Sequence, residues 1–152
     1  MFDIIGYIFA SSNTTMLISF IYLLWECKSQ KKWKPIIWML FFYIFLGMSN
    51  IALKQLFKIP RPHNPASYGF PSGHMTTFTL TYGWICYRCI SVIKSSWKWL
   101  LLGMYCIILP IGGLWIVAKG YHTIWDIMGG FAFGNLWLLL SVLFVRRFSS
   151  SI

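Results

Sequence analysis

Residues 36–57 read IIWMLFFYIFLGMSNIALKQLF, a run in which Lys54 is the only charge. As a helix rising 1.5 Å per residue, such a run can cross a hydrocarbon core about 30 Å thick, which takes about 20 residues. Working outward, four further runs meet the same rule, at about Ile4 to Trp25, Ser72 to Val92, Trp97 to Val117 and His122 to Val145. The expected fold class is all-α, a polytopic membrane helical bundle of about five transmembrane helices, with residues 1–152 as one integral-membrane domain. Ser11 to Thr15 interrupts the first run with polar side chains that must face protein, water or an interface. Pro110, followed by Gly112 and Gly113, is expected to kink the fourth run or end it early, because proline removes a backbone donor and crowds the preceding turn. Gly130 and Gly134 form a GxxxG spacing that lets helices approach closely.

Composition agrees with the bilayer. With 58% of residues hydrophobic and 11% charged, the chain is neither an ordinary soluble domain nor a disordered or collagenous one. A net charge of +10 raises the question of nucleic acid. The basic residues sit in short clusters between apolar runs, as membrane-flanking residues do, so no nucleic-acid partner is expected. Cys27, Cys86, Cys89 and Cys106 lie within or beside apolar runs. The CxxC of Cys86 and Cys89 lacks the second pair that zinc chemistry wants, and it reads as two small apolar side chains. Met1 to Ala10 has no basic n-region, so no cleavable signal is expected.

Basic residues orient the bundle. Lys28, Lys31, Lys32 and Lys34 occupy the first connection; Arg88, Lys94 and Lys98 lie at or near the third; Arg146 and Arg147 are at the C-terminus. These ends are expected in the cytoplasm, which puts the N-terminus and the second and fourth connections outside. The second connection nonetheless carries Lys58 and Arg61, close to Lys54. Those outward connections also gather His63, His74 and His122, and Asp126 follows His122 by four residues. Ionisable groups at membrane depth are expensive and point to function.

Taken together, the outward residues read as a phosphate site. Lys54 and Arg61 can hold nonbridging oxygens through charge-assisted bonds, and Ser72 with the amides around Gly73 opens a helix able to cap the same anion. His122 and Asp126, at i and i+4, place a carboxylate where it can fix an imidazole tautomer. His63 lies beside these groups and reads as a solvated loop residue. For the lysines and arginine the bland alternative is interfacial snorkelling; for His74 and His122 it is helix packing.

The order Lys54-x6-Arg61-Pro62, then Pro71-Ser72-Gly73-His74, then His122-x3-Asp126 resembles the type 2 phosphatidic acid phosphatase family of membrane lipid phosphatases and their transferase relatives. The matched motifs run from Lys54 to Asp126, about half of the chain. That resemblance implies His122 as nucleophile in a phosphohistidine mechanism, Asp126 as its partner and His74 as the acid for the leaving group. It also implies Lys54, Arg61, Ser72 and Gly73 as phosphate-binding positions, with no metal or organic cofactor required. The expected substrate is a lipid phosphate or pyrophosphate met at the outer face, a polyprenyl pyrophosphate being favoured over phosphatidic acid, phosphatidylglycerophosphate and a lipid A phosphate. A bacterial plasma membrane is the expected location; the oligomeric state is not encoded.

One departure stands out. The family's third motif begins Ser-Arg, and those places hold Trp115 and Ile116. Lys119 is the nearest replacement cation, although a point charge does not reproduce a bidentate fork. Loss of one strong clamp is worth about 3 kcal/mol of transition-state stabilisation. The alternatives are therefore a lipid phosphotransferase or a catalytically weakened lipid-phosphate binding protein.

Overall fold

The computed structural model describes residues 34–92 and 96–149, together with Thr14, Leu17, Ile18, Phe20, Ile21, Tyr22, Leu24, Trp25 and Lys28. Four helices follow in order: α1 (Lys34–Phe57), α2 (Gly73–Val92), α3 (Trp97–Ala118) and α4 (Ile124–Ser149). The described residues between Thr14 and Lys28 are helical as well, while the rest of the first apolar run lies outside the described residues. An isolated bridge between Pro60 and Tyr68 is the only extended pairing among the described residues.

Three of these helices are long and apolar enough to cross a membrane, over Ile37–Phe57, Trp97–Ala118 and Ile124–Phe148. Their outward faces carry large apolar side chains such as Ile44, Ile51, Ile107, Leu114 and Leu139, all exposed. Water would oppose that surface, whereas lipid tails accept it. The second helix, α2, packs against each of the other three, as α4 does, and is the more polar of the two in its buried face. It buries Thr76, Thr79 and Thr81 completely. Two of those hydroxyls have internal partners: Thr76 donates to the Ser72 carbonyl at 2.8 Å and Thr81 shares a hydrogen bond with Tyr43, while Thr79 Oγ1 has none among the described residues. Met39, Leu46, Leu80, Trp84 and Val145 form one apolar core; Met75, Phe78, Leu109, Ile116 and Ile127 form a second on the α3 side.

Small residues set the closest contact, between α2 and α4. A Cβ on Gly130 would lie 2.6 Å from the Ser72 carbonyl oxygen, and one on Gly134 would lie 2.7 Å from Thr79 Cβ. Side chains there would force the helices apart. Pro110 does not end the helix early, since α3 continues through it to Ala118. Gly112 and Gly113 act as contact points rather than terminators. A Cβ on Gly112 would meet the Phe78 ring at 3.1 Å, and one on Gly113 would meet Ile127 at 2.8 Å, so packing on α2 and α4 holds the helix past its missing hydrogen bond.

The last helix also begins later than its apolar run suggests. It starts at Ile124 and leaves His122 in the preceding turn. The α1–α2 and α3–α4 connections meet at one end of the bundle, where His63 Nδ1 lies 3.0 Å from the Gly120 carbonyl oxygen and the Ser72 amide donates to the Asp126 carbonyl at 3.0 Å. Gly120 takes φ +72, a left-handed conformation that glycine adopts without a Cβ clash and that turns the chain out of α3.

Candidate active site

His122 and Asp126 come together through a helix cap. The Asp126 amide donates to Thr123 Oγ1 at 3.2 Å, and Asp126 Oδ2 accepts the Thr123 amide at 2.8 Å. This reciprocal capping box fixes the carboxylate at the start of α4. The same Oδ2 lies 3.4 Å from His122 Nδ1. A proton on Nδ1 is thus favoured, leaving a lone pair on Nε2. Nε2 is buried and has no hydrogen-bond partner among the described residues. Burial first, then the charge of Arg61, pushes the His122 pKa from its ordinary 6.5 down to about 4, against the opposing pull of Asp126. Near neutral pH the imidazole is uncharged, the form a nucleophile requires.

The two cations of the first motif converge on the loop that precedes α2. Lys54 Nζ donates to the carbonyls of Tyr68 and Gly69, each at 3.1 Å, and Arg61 Nε donates to the Tyr68 carbonyl at 3.3 Å. Bonds from the Arg61 amide to Ser67 O at 2.9 Å and from the Gly69 amide to Ile59 O at 2.7 Å turn those carbonyls inward. Arg61 keeps the rest of its guanidinium fork for a ligand. Ser72 is fully buried at the N-cap of α2, where its Oγ accepts the Met75 amide at 3.4 Å. Gly73 and His74 follow in the first turn, whose amides have no intrahelical acceptor. The His74 ring stands 5.9 Å from that of His122, at 68°.

A cleft of about 270 Å³ opens between α1 and α2 beside these groups. Lys54, Arg61 and His74 line its polar end, Asn50, Ile51 and Thr77 its middle, and Leu46 and Gly47 its apolar foot. Lys119 follows α3 and carries its Nζ over the Trp115 ring, 5.8 Å from the centroid. Ile116, in the place of the third-motif arginine, is 3% exposed within the second apolar core.

Three participants in this region were missed or undervalued in the sequence. His63 is exposed, yet it joins the two connections through Gly120 and packs on Tyr121 at 5.4 Å. Thr123-Ile-Trp-Asp126 carries the capping-box spacing, a signal that was there to be read. Asn50 sits one turn before Lys54 on α1 and is 6% exposed; inside an apolar run it looks like a packing residue.

No curated protein matches the sequence. Among solved structures, the chain is similar to the crystal structure of the first transmembrane PAP2 type phosphatidylglycerolphosphate phosphatase from Bacillus subtilis, with 25% identity and a TM-score of 0.82, covering 96% of this chain and 75% of that one. A family model described as the PAP2 superfamily matches residues 35–150, a range that carries all three motifs. The chain belongs to the PAP2 superfamily.

Proposed function

We propose that this chain is an integral-membrane lipid phosphatase working through a phosphohistidine on His122. The observation that carries the reading is His122 Nε2: buried, without a partner among the described residues, and made the nucleophilic nitrogen by the Nδ1 contact to Asp126. A phosphate between Arg61, Lys54 and the first amides of α2 presents phosphorus to Nε2. Attack forms the N–P bond, the P–O bond to the lipid breaks, and His74, which holds a proton once the anionic phosphate offsets the Lys54 and Arg61 charges, gives that proton to the departing oxygen. Asp126 stabilises the positive ring. Water then attacks phosphorus, His74 takes its proton, the N–P bond breaks and inorganic phosphate leaves.

Lys54 and Arg61 compensate the charge that develops on the nonbridging oxygens. Ser72 and Gly73 shape the helix start that contributes amides, and Lys119 supplies charge from the α3 side. The apolar foot of the cleft suits a lipid chain entering from the bilayer. The basic clusters described above support an orientation with the active end outside a bacterial plasma membrane and the C-terminus inside. For the substrate, the similar Bacillus subtilis protein is a phosphatidylglycerolphosphate phosphatase, which supports a glycerophospholipid phosphate as an alternative to the polyprenyl pyrophosphate favoured from the sequence. Burial of Ile116 in the core, where the family has arginine, supports a slower enzyme than one with three full clamps.

The direct test is release of inorganic phosphate by purified protein from a lipid panel containing both substrate types. Release that His122→Ala abolishes supports the reading. Binding without release favours the weakened lipid-phosphate binder, and a phosphorylated lipid acceptor without matching free phosphate favours the transferase.

A further inference from the structure

The middle of the cleft carries a group that the phosphatase chemistry does not use. Asn50 lies one helical turn from Lys54, about 6 Å along the axis, at the step between the cationic end and the apolar foot. Its amide orientation follows from Thr76. The Thr76 hydroxyl has one proton and gives it to the Ser72 carbonyl at 2.8 Å. The Asn50 atom 3.3 Å from Thr76 Oγ1 must therefore be the donor, Nδ2. Oδ1 is left on the Gly73 side, where a Cβ added to that glycine would approach it to 3.3 Å. No donor among the described residues bonds Oδ1, and Asn50, 6% exposed, shows its remaining surface to the cleft, where a ligand can supply one.

A lipid whose phosphate is held by Arg61 and Lys54 at the polar end of this cleft, and whose tail follows α1 to Leu46 and Gly47, runs its leaving group past His74 and Asn50. An acceptor at that step repels the anionic oxygens of a second phosphate and attracts a hydroxyl. Resting on the phosphatase reading above, we propose that Asn50 Oδ1 accepts a hydrogen bond from a hydroxyl on the leaving group, next to the carbon that bears the phosphate. The chain thereby selects lipid phosphates with a glycerol-type, hydroxyl-bearing linker over polyprenyl phosphates and diphosphates. Thr76 is a positioning residue in this scheme, since it fixes which end of the amide faces the ligand.

The test uses two long-chain alkyl phosphates of equal length, one with a hydroxyl on the carbon next to the phosphorylated one and one without it. Each is presented to the purified full chain in mixed micelles. Wild type is expected to show kcat/KM about tenfold higher for the hydroxylated compound. In Asn50→Leu, which keeps similar volume without the acceptor, the ratio should collapse towards one; Asn50→Ala repeats the comparison where leucine disturbs folding. Equal kcat/KM in wild type, or a tenfold ratio that survives both substitutions, overturns the role of Asn50 while leaving the phosphatase intact. Release from neither compound overturns the phosphatase reading itself, and the proposal with it.

Discussion

At His122 the two ring nitrogens have different surroundings, one held by a carboxylate and the other left open, and that difference has a measurable consequence in acid. In the folded chain the ring titrates at about 4, against an ordinary value of 6.5. Above the ordinary value both folded and unfolded states are neutral. As pH falls below it, the unfolded chain binds a proton that the folded chain does not, so stability declines until the folded pKa is passed. The unfolding temperature in detergent should therefore drop less for His122→Gln than for wild type between about pH 7 and about pH 4.5. Equal drops would put the acid sensitivity elsewhere. A second residue-scale expectation concerns the third clamp. If Lys119 supplies charge to the phosphate, Lys119→Met lowers kcat/KM by about tenfold, whereas Lys58→Met, at the exposed end of α1, mainly alters salt dependence. Matching effects from the two substitutions would remove Lys119 from the site.

Among the elements, the α2–α4 contact holds His122, the proposed nucleophile, beside His74. Gly134→Ala would bring a methyl 2.7 Å from Thr79 Cβ and 2.8 Å from the Thr76 carbonyl oxygen. Overpacking of this kind costs about 1–3 kcal/mol. Gly103→Ala on α3 meets nothing within 4 Å and is the control. Thermal unfolding in detergent should separate the two, the α4 variant melting lower and the α3 variant at or above wild type; coincident melts would show that the helices have room to spare. The same contact marks what the sequence made legible. Apolar length placed α1, α2 and α3 to within two residues, and GxxxG marked the close approach. Apolar length alone ended the last run at Val145, whereas α4 continues to Ser149, because Arg146 and Arg147 close the apolar run without ending the helix. That α3 runs on past Pro110 was hidden because the partners of Gly112 and Gly113, Phe78 on α2 and Ile127 on α4, are distant in sequence. His63 and Asn50 were unreadable for the same reason: their significance comes from Gly120 and from Thr76, which only the fold brings near.

At the scale of the whole molecule, two connections that are far apart in sequence form a single polar end on an otherwise lipid-facing bundle. With native cysteines replaced, Ser67→Cys in the α1–α2 connection should react with a membrane-impermeant maleimide added to intact cells. Ser96→Cys, at the opposite end of α2, should react only after the membrane is opened. Labelling of both from outside would overturn the proposed orientation. The chemistry itself is tested by acid-sensitive, base-stable label on protein quenched during turnover of a lipid carrying radioactive phosphate. Wild type is expected to retain label on the peptide that contains His122, with none in His122→Ala and more in a variant slowed at the water step, such as His74→Ala assayed with an activated leaving group. Phosphate release at the normal rate with no labelled His122 peptide at any quench time would contradict a phosphohistidine enzyme.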